Sequence, residues 1–173
     1  VARIAALAET ERFAAAEPDM IDAILDGAGA LAAGEWAPTN RTGDTHYPQW
    51  KDGSVTMPPG FKQAYEAYVD GGWGTIAGPV DFGGQGLPNA LGFAVTESLG
   101  TANMGFCLCP ILSSGAVEAL ASHGSDDQRA MYLEKLVSGE WTGTMNLTEP
   151  QAGSDVGALR STAEPAGDGS YRI

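Results

Sequence analysis

The chain has 173 residues, of which 43% are hydrophobic, so it can bury a core and is too apolar to be disordered. Asp and Glu number 22 against 9 Lys and Arg, which gives a formal net charge of −13. This acidity argues against nucleic acid and anionic membrane surfaces as partners, because both are bound through clustered cations. No apolar run approaches the length that a membrane span requires, so we also expect no membrane span.

The two cysteines, Cys107 and Cys109, are too close in sequence for a good disulfide. His46 and His123, the only histidines, lie far apart in sequence and add no second ligand pair. We therefore predict no metal site. Reduced thiols are typical of a cytoplasmic protein, which is the location we expect.

The N-terminal part of the chain predicts two helices. The first runs from Val1 to about Glu17 and is broken by Pro18. The second is capped by Asp19, and its apolar residues recur at helical spacing until Gly34 and Pro38 end it.

The next stretch, 37–60, changes to Asn, Thr, Gly, Asp and Pro with scattered aromatic residues. Asp52-Gly53 separates two short β-prone runs there, which predicts a small hairpin. We assign 1–60 to an N-terminal helical extension that carries this hairpin.

Four more helices are predicted between residues 58 and 139. One opens after Pro58-Pro59-Gly60, one spans Pro88 to about Asn103, one spans Pro110 to His123, and the last runs from a capping box at Ser125 and Gln128 to Gly139. A loop rich in glycine and proline, 72–88, joins the first two. The residues expected to face the core are Phe61, Tyr65, Tyr68, Val69, Leu91, Ala94, Val95, Leu99, Ile111, Leu112, Ala116, Val117, Leu120, Met131, Leu133, Leu136 and Val137.

After Gly139 the pattern becomes β-prone. A run of alternating residues ends at Pro150, a second run precedes the turn A-G-D-G-S, and a third begins at Tyr171. We therefore predict a helical domain over 61–139 and the incomplete beginning of a β-domain over 140–173, as part of a longer protein.

The stretch T-M-N-L-T-E-P-Q-A-G-S-D, Thr144 to Asp155, is the strongest candidate for a site. It combines a predicted strand end, a hydroxyl, a proline and a small-residue turn, so it presents many backbone N–H groups to a ligand with many acceptors. Taken singly, each feature also fits a plain structural role: a strand threonine, an edge-strand terminator and an ordinary turn.

Three motifs occur in a characteristic order: G-W-G-T-I-A-G-P-V-D-F-G-G-Q-G-L-P, then H-G-S-D-D-Q-R-A-M-Y-L-E-K-L-V-S-G-E-W, then T-G-T-M-N-L-T-E-P-Q-A-G-S-D-V-G. This order resembles the acyl-CoA dehydrogenase family. The resemblance implies a mainly α fold: an N-terminal, up-down bundle-like helical domain followed by the first strands of a truncated β-barrel domain. The longer N-terminal part, with aromatic residues near His46, is similar to a long-form branch that includes methylthiopropanoyl-CoA dehydrogenase-like enzymes.

The resemblance also implies FAD as cofactor and an acyl-CoA thioester as substrate, oxidised to trans-2-enoyl-CoA by loss of an α-proton and transfer of a β-hydride to flavin N5. At the matching positions, Leu147 and Thr148 would bind the flavin ring, Met145 would lie beside the flavin and the acyl cavity, and Gly153 and Ser154 would meet FAD phosphate or the CoA arm. Met145 and Ser154 are thus expected to contact substrate as well as cofactor.

No catalytic residue is expected within the chain, because relatives carry the catalytic glutamate in a later helical domain. Glu149 is the tempting alternative. Strand alternation would point its side chain away from the face of Thr148, so we interpret it as structural.

As partners, the resemblance implies an electron-transfer flavoprotein as acceptor and a second copy of the chain in a homo-oligomer, within fatty acid metabolism. Two alternatives remain open. One is a flavoprotein oxidase or monooxygenase of the same fold. The other is a non-enzymatic, stress-related scaffold, although the net charge of −13 disfavours DNA contact through this segment.

Overall fold

The computed structural model describes residues 4–173, so the first three residues of the predicted N-terminal helix, 1–3, lie outside the described residues. In place of one α-helix, two short 3-10 helices form, Ile4–Glu9 and Glu11–Phe13. Thr10 separates them, because its backbone is extended and its hydroxyl donates to the Leu7 carbonyl at 2.6 Å. This local hydrogen bond competes with a continuous helix, and the prediction of one helix is wrong here.

A continuous helical segment follows: α1 (Pro18–Leu31), a π-helical turn (Ala32–Trp36) and α2 (Ala37–Thr45). Pro18 begins α1, where its missing N–H would have no partner in any case, and the predicted cap at Asp19 is wrong. The predicted end at Gly34 and Pro38 is also wrong. Pro38 lies in the first turn of α2, a position that tolerates proline.

The predicted hairpin is confirmed. Strands β1 (Gln49–Lys51) and β2 (Ser54–Thr56) pair antiparallel, and Trp50 lies opposite Val55. Asp52 and Gly53 both have positive φ, at 50° and 81°. Two consecutive left-handed residues match the twist of the strands, which explains why Asp-Gly occupies this turn.

The remaining helices are α3 (Phe61–Asp70), α4 (Asn89–Ala102), α5 (Met104–His123) and α6 (Asp126–Ser138). The predicted capping box of α6 is confirmed: the Ser125 hydroxyl accepts from the Gln128 N–H, and the Gln128 side chain accepts from the Ser125 N–H. Gly139 ends α6 with a φ of 83°.

Helix α5 begins six residues before the predicted start at Pro110, which lies inside the helix. The earlier start is set by Asn103, whose side-chain oxygen accepts from the Phe106 N–H at 3.0 Å. A side-chain cap satisfies a helix N–H that would otherwise lack a partner. The cap therefore determines the start of α5, and the proline does not.

An aromatic cluster forms the centre of the core. Trp36 is fully buried, and its ring stacks on Phe106 with 4.3 Å between ring centroids. Tyr68 lies 5.8 Å from Trp36, and Phe61 lies 4.8 Å from Phe106. The Trp36 indole N–H donates to the Ala64 carbonyl at 3.3 Å. One side chain thus joins the π-helical turn to α3 and α5.

A buried polar chain extends this cluster. The Thr39 hydroxyl donates to the Trp36 carbonyl at 2.6 Å and accepts from the Asn103 amide at 2.8 Å. Thr39 and Asn103 are 3% and 4% exposed, so these hydrogen bonds satisfy groups that water does not reach. They hold the start of α5 against α2.

The C-terminal part of the chain contains little regular structure. Strands β3 (Glu164–Pro165) and β4 (Tyr171–Arg172) form a short antiparallel pair. Residues 143–148 form no strand among the described residues, although the pattern predicts one. A strand needs a hydrogen-bonded neighbour, and the described residues offer this segment none. The mainly α fold class is confirmed, and the division into domains stays a prediction.

Helix α5 has 20 residues, and by length and composition alone it could cross a membrane, with a mean hydropathy of 1.5. The expectation that no apolar run has this length is therefore wrong. Core helices of many proteins pass the same test, so it does not assign a span. Phe106, Cys107 and Pro110 are the only residues of α5 that are buried. Ile111 on α5 and Met131 on α6, which we expected to face the core, are 39% and 59% exposed.

We predict that Asn103→Ala lowers the free energy of unfolding by about 2 to 3 kcal/mol, because it removes a helix cap and leaves buried groups unpaired. Urea-induced unfolding followed by circular dichroism measures the change. Asn40→Ala, on the exposed side of α2, is the matched control and should change stability by less than about 0.5 kcal/mol. Equal effects of the two substitutions would contradict the role given to Asn103.

Candidate functional site

Helix α5 holds the start of the candidate segment. The Gly143 N–H donates to the Ser113 hydroxyl at 3.0 Å. A Cβ on Gly143 would lie 2.7 Å from the Ala116 Cβ and 3.2 Å from the Ser113 Cα, so only glycine lets the chain approach the helix this closely. The segment that follows therefore leaves from the surface of α5.

The turn before Gly143 is anchored on both sides. The Tyr65 hydroxyl donates to the Gly139 carbonyl at 2.9 Å, which attaches the end of α6 to α3. The Trp141 N–H donates to the Lys135 carbonyl at 2.9 Å, and the Lys135 ammonium lies 4.5 Å from the centre of the Trp141 ring. These contacts set the direction in which the chain leaves α6.

The five residues predicted to bind cofactor, Met145, Leu147, Thr148, Gly153 and Ser154, are all exposed. Their backbone N–H groups donate to no other group within the described part of the chain. A Cβ built on Gly153 would meet nothing within 4 Å. The segment thus offers a run of open donors without side-chain obstruction, as a ligand rich in acceptors requires.

Glu149 holds this segment together. The chain turns sharply at Pro150, because the Glu149 and Ala152 backbones exchange two hydrogen bonds of 3.0 Å. The Glu149 carboxylate accepts from the Arg160 N–H at 3.0 Å and the Ser161 N–H at 2.9 Å, and also from the Gln151 amide. The carboxylate therefore closes a loop over residues 149–161.

These hydrogen bonds, above all those from Ser161 and then the one from Arg160, lower the pKa of Glu149 from 4.5 to about 2. A carboxylate with so low a pKa is a poor general base. The structural role interpreted for Glu149 agrees with this geometry.

Helix α5 also presents an exposed apolar face. Met104, Leu108 and Ile111 are 61%, 53% and 39% exposed and recur at helical spacing, and Gly115 continues the row with open space around it. Leu147, 42% exposed, adds apolar surface on the segment itself. These residues leave apolar surface open to solvent both on α5 and on the segment.

The sequence pattern assigned Ile111 to the core and did not identify this face of α5. The sequence does contain one indication of this face. Apolar residues occur on several sides of α5, whereas packing against one core needs only one apolar side. The structure attaches Gly143 to α5 and closes the Glu149 loop. It brings none of the five predicted residues into an enclosed cavity: a cavity of about 430 Å³ between α3, α5 and α6 is lined by other residues.

The described residues give no support for a metal site or for a cysteine nucleophile. They contain no group of three or more His, Cys, Asp or Glu side chains that could hold a metal ion. Burial raises the pKa of the Cys107 and Cys109 thiols, so neither is activated as a nucleophile.

Comparison with known proteins gives consistent results. A family model described as "Acyl-CoA dehydrogenase, N-terminal domain" matches residues 21–140. The 3-methylmercaptopropionyl-CoA dehydrogenase of Ruegeria pomeroyi is 45% identical over 94% of this chain and 28% of its own length. The broad-specificity linear acyl-CoA dehydrogenase FadE5 of Mycobacterium tuberculosis is 32% identical over 93% of this chain and 26% of its own length. The chain thus spans about a quarter of these relatives.

Solved structures share the fold. A glutaryl-coenzyme A dehydrogenase in complex with glutaryl-CoA matches with a TM-score of 0.68 at 23% identity, over 86% of this chain and 37% of that one. An acyl-CoA dehydrogenase complexed with FAD from Bacillus anthracis matches with a TM-score of 0.66 at 20% identity, over 84% of this chain and 23% of that one.

We predict that the loop closed by Glu149 opens in acid. A pKa lowered in the folded state means that the stabilisation is complete above the ordinary pKa near 4.5 and is lost as the pH falls towards about 2. Protection of the Arg160 and Ser161 amides against hydrogen exchange should fall over this range. Glu149→Gln should lower the protection above about pH 4.5 to the level that the unsubstituted chain reaches near pH 2, and should abolish its pH dependence.

The control for this experiment is Glu134→Gln, the same substitution on an exposed residue of α6. It should leave the protection of Arg160 and Ser161 unchanged. Protection that is independent of pH in the unsubstituted chain would contradict the role of the Glu149 carboxylate.

Proposed function

This chain belongs to the acyl-CoA dehydrogenase family, and on that premise we propose that the protein oxidises an acyl-CoA thioester to the trans-2-enoyl-CoA with FAD as cofactor. The observation that carries the proposal is the set of open backbone donors at Met145, Leu147, Thr148, Gly153 and Ser154, together with the exposed apolar side chains of Met145 and Leu147 on the same segment. The donors suit a polar heterocycle, and the apolar side chains suit an acyl chain.

The residues of the segment fit FAD. The flavin ring presents several carbonyl oxygens and ring nitrogens along one edge, and the Leu147 and Thr148 N–H groups and the Thr148 hydroxyl are free to donate to such acceptors. Gly153 and Ser154 lie in a turn without bulky side chains, which suits phosphate oxygens or the CoA arm. When bound, FAD supplies the acceptor for the hydride from the β-carbon of the substrate.

In this proposal the residues of the chain bind and orient the cofactor and the substrate. Met145 offers an apolar contact for the acyl group, and Ser154 offers a hydroxyl to cofactor or substrate. The α-proton must pass to a carboxylate other than Glu149, since the Glu149 oxygens already accept three hydrogen bonds and have a low pKa. We propose that this base lies outside residues 1–173.

The relatives suggest which substrates to test. The enzyme that is 45% identical is named for 3-methylmercaptopropionyl-CoA, and the one that is 32% identical is named for linear acyl-CoA thioesters. A short acyl group, with or without a thioether, is therefore the first class we propose. An electron-transfer flavoprotein is the proposed acceptor.

The alternative of a flavoprotein oxidase shares this fold and segment. The two functions differ in how the reduced protein reacts with oxygen, which stopped-flow absorbance measures. Slow reoxidation by oxygen supports the dehydrogenase, and fast reoxidation supports the oxidase.

We predict that Gly153→Ala in the full-length protein weakens FAD binding by at least about 10-fold, because a methyl group would obstruct the approach of the ligand to backbone donors. The folded chain has room for the methyl group, so the melting temperature should change little. Equilibrium titration of the apoprotein with FAD measures the affinity.

The matched control is Gly29→Ala on α1, where a Cβ would also meet nothing within 4 Å. It should leave FAD affinity unchanged. Unchanged affinity in both variants would contradict the assignment of Gly153 to the cofactor site.

We also predict that residues 1–173 alone do not reduce an artificial electron acceptor with butanoyl-CoA or 3-methylmercaptopropionyl-CoA, whereas the full-length protein does. The reason is that the proposed base lies outside this range. Turnover by residues 1–173 alone would overturn this division of the active site.

A further inference from the structure

The span between Gly143 and Glu149 carries three of the five proposed cofactor-binding residues, yet it is held only at its ends. Residues 144–148 neither donate nor accept a hydrogen bond within the part of the chain that the structure describes. Glu149 fixes the C-terminal end through its turn and its carboxylate. At the N-terminal end, the Gly143 N–H donates to the Ser113 hydroxyl at 3.0 Å. The position of the open donors therefore depends on these two anchors.

The Ser113 hydroxyl takes part in two hydrogen bonds at once. It donates to the Cys109 carbonyl, one turn back on α5, at 3.0 Å, and it accepts from the Gly143 N–H. A serine hydroxyl has one hydrogen to donate and two lone pairs that accept. Because the helix carbonyl takes the hydrogen, the lone pairs remain for a chain outside the helix. Ser113 is also half-buried, so water competes less for this contact than it would at an exposed position.

The next residue shows that a serine on this helix need not have such a role. The Ser114 hydroxyl also donates to the carbonyl four residues back, that of Pro110, at 3.0 Å. Among residues 4–173, no hydrogen bond joins Ser114 to the segment after Gly139. Two adjacent serines thus make the same contact with their own helix, and only Ser113 also binds the segment.

We propose that Ser113 is a positioning residue of the cofactor site: its hydroxyl fixes the place from which the donors of Met145, Leu147 and Thr148 start, and so sets the affinity for FAD. This inference rests on the proposed function, because it takes these donors as the flavin site. Met145 follows Gly143 by only two residues, so a displacement of Gly143 displaces the first donors. A segment held in its bound arrangement before the ligand arrives loses less freedom on binding, which increases affinity.

The test compares three variants of the full-length protein by equilibrium titration of the apoprotein with FAD. Ser113→Ala should weaken binding by at least about 10-fold, because the segment loses its N-terminal anchor. It should also change the visible absorbance spectrum of the bound flavin, which responds to the hydrogen bonds that the ring accepts. Ser114→Ala is the matched control: it removes the same contact with α5 and should leave affinity and spectrum unchanged.

Ser113→Thr is the conservative variant and should restore most of the affinity. A threonine hydroxyl can still bind the carbonyl one turn back. The cavity of about 430 Å³ that Ser113 lines has room for the additional methyl group. Hydrogen exchange of peptides that contain Gly143, measured on the apoprotein by mass spectrometry, should show that Ser113→Ala removes protection at Gly143 and that Ser114→Ala keeps it.

Three results would overturn the inference and leave the proposed function intact. Ser113→Ala could bind FAD as tightly as the unsubstituted protein. The two alanine variants could weaken binding equally, which would place the effect in the helix and not in the segment. Ser113→Ala could also keep the protection at Gly143. An unsubstituted protein that binds no FAD would instead overturn the proposed function, and this inference with it.

Discussion

The stacking of Trp36 on Phe106 is the contact on which the arrangement of the helices depends. Trp36 is fully buried: its ring stacks on α5, its indole N–H donates to α3, and its carbonyl accepts from Thr39 of α2, which in turn binds Asn103 at the start of α5. Because these contacts meet at one end of α5, they fix the position of the whole helix. The site inherits this position, since Gly143 leaves from the middle of α5 through the Ser113 hydroxyl.

The candidate segment separates two tasks between neighbouring residues. Glu149 uses its carboxylate to close the loop and gains a pKa of about 2 from the hydrogen bonds that it accepts. The residues on either side keep their backbone donors open to solvent. A loop that binds a ligand through its backbone must be ordered while its donors stay free, and the Glu149 carboxylate orders this loop in a way that fits the proposed role. The same hydrogen bonds explain why Glu149 has a structural role and is a poor candidate for the base.

Features set by local chemistry could be predicted from the sequence. The capping box at Ser125 and Gln128 and the Asp52-Gly53 turn were predicted because each depends on a few adjacent residues. The start of α5 was missed because Asn103 is held by Thr39, which is distant in sequence. The prediction that Pro38 ends the helix was wrong for a similar reason. Pro38 lies in the first turn of α2, and the buried Trp36 anchors this helix.

The order of the motifs predicted both the family, which the comparisons confirm, and the candidate site from Thr144 to Asp155, which stays a prediction. The exposed face of α5 could not be predicted, because which side of the helix stays open depends on how every helix packs. Ile111 illustrates the point: its spacing predicts burial, yet α4 and α6 leave it on the open side.

We propose, as the central claim, that the open backbone donors at Met145, Leu147, Thr148, Gly153 and Ser154 hold the flavin. Hydrogen–deuterium exchange of the full-length protein, measured with and without FAD, tests this claim most directly. The account predicts that FAD slows exchange in residues 145–154 by at least about 10-fold, while exchange in the β1–β2 hairpin stays unchanged. Unchanged exchange in residues 145–154, with protection elsewhere, would contradict it.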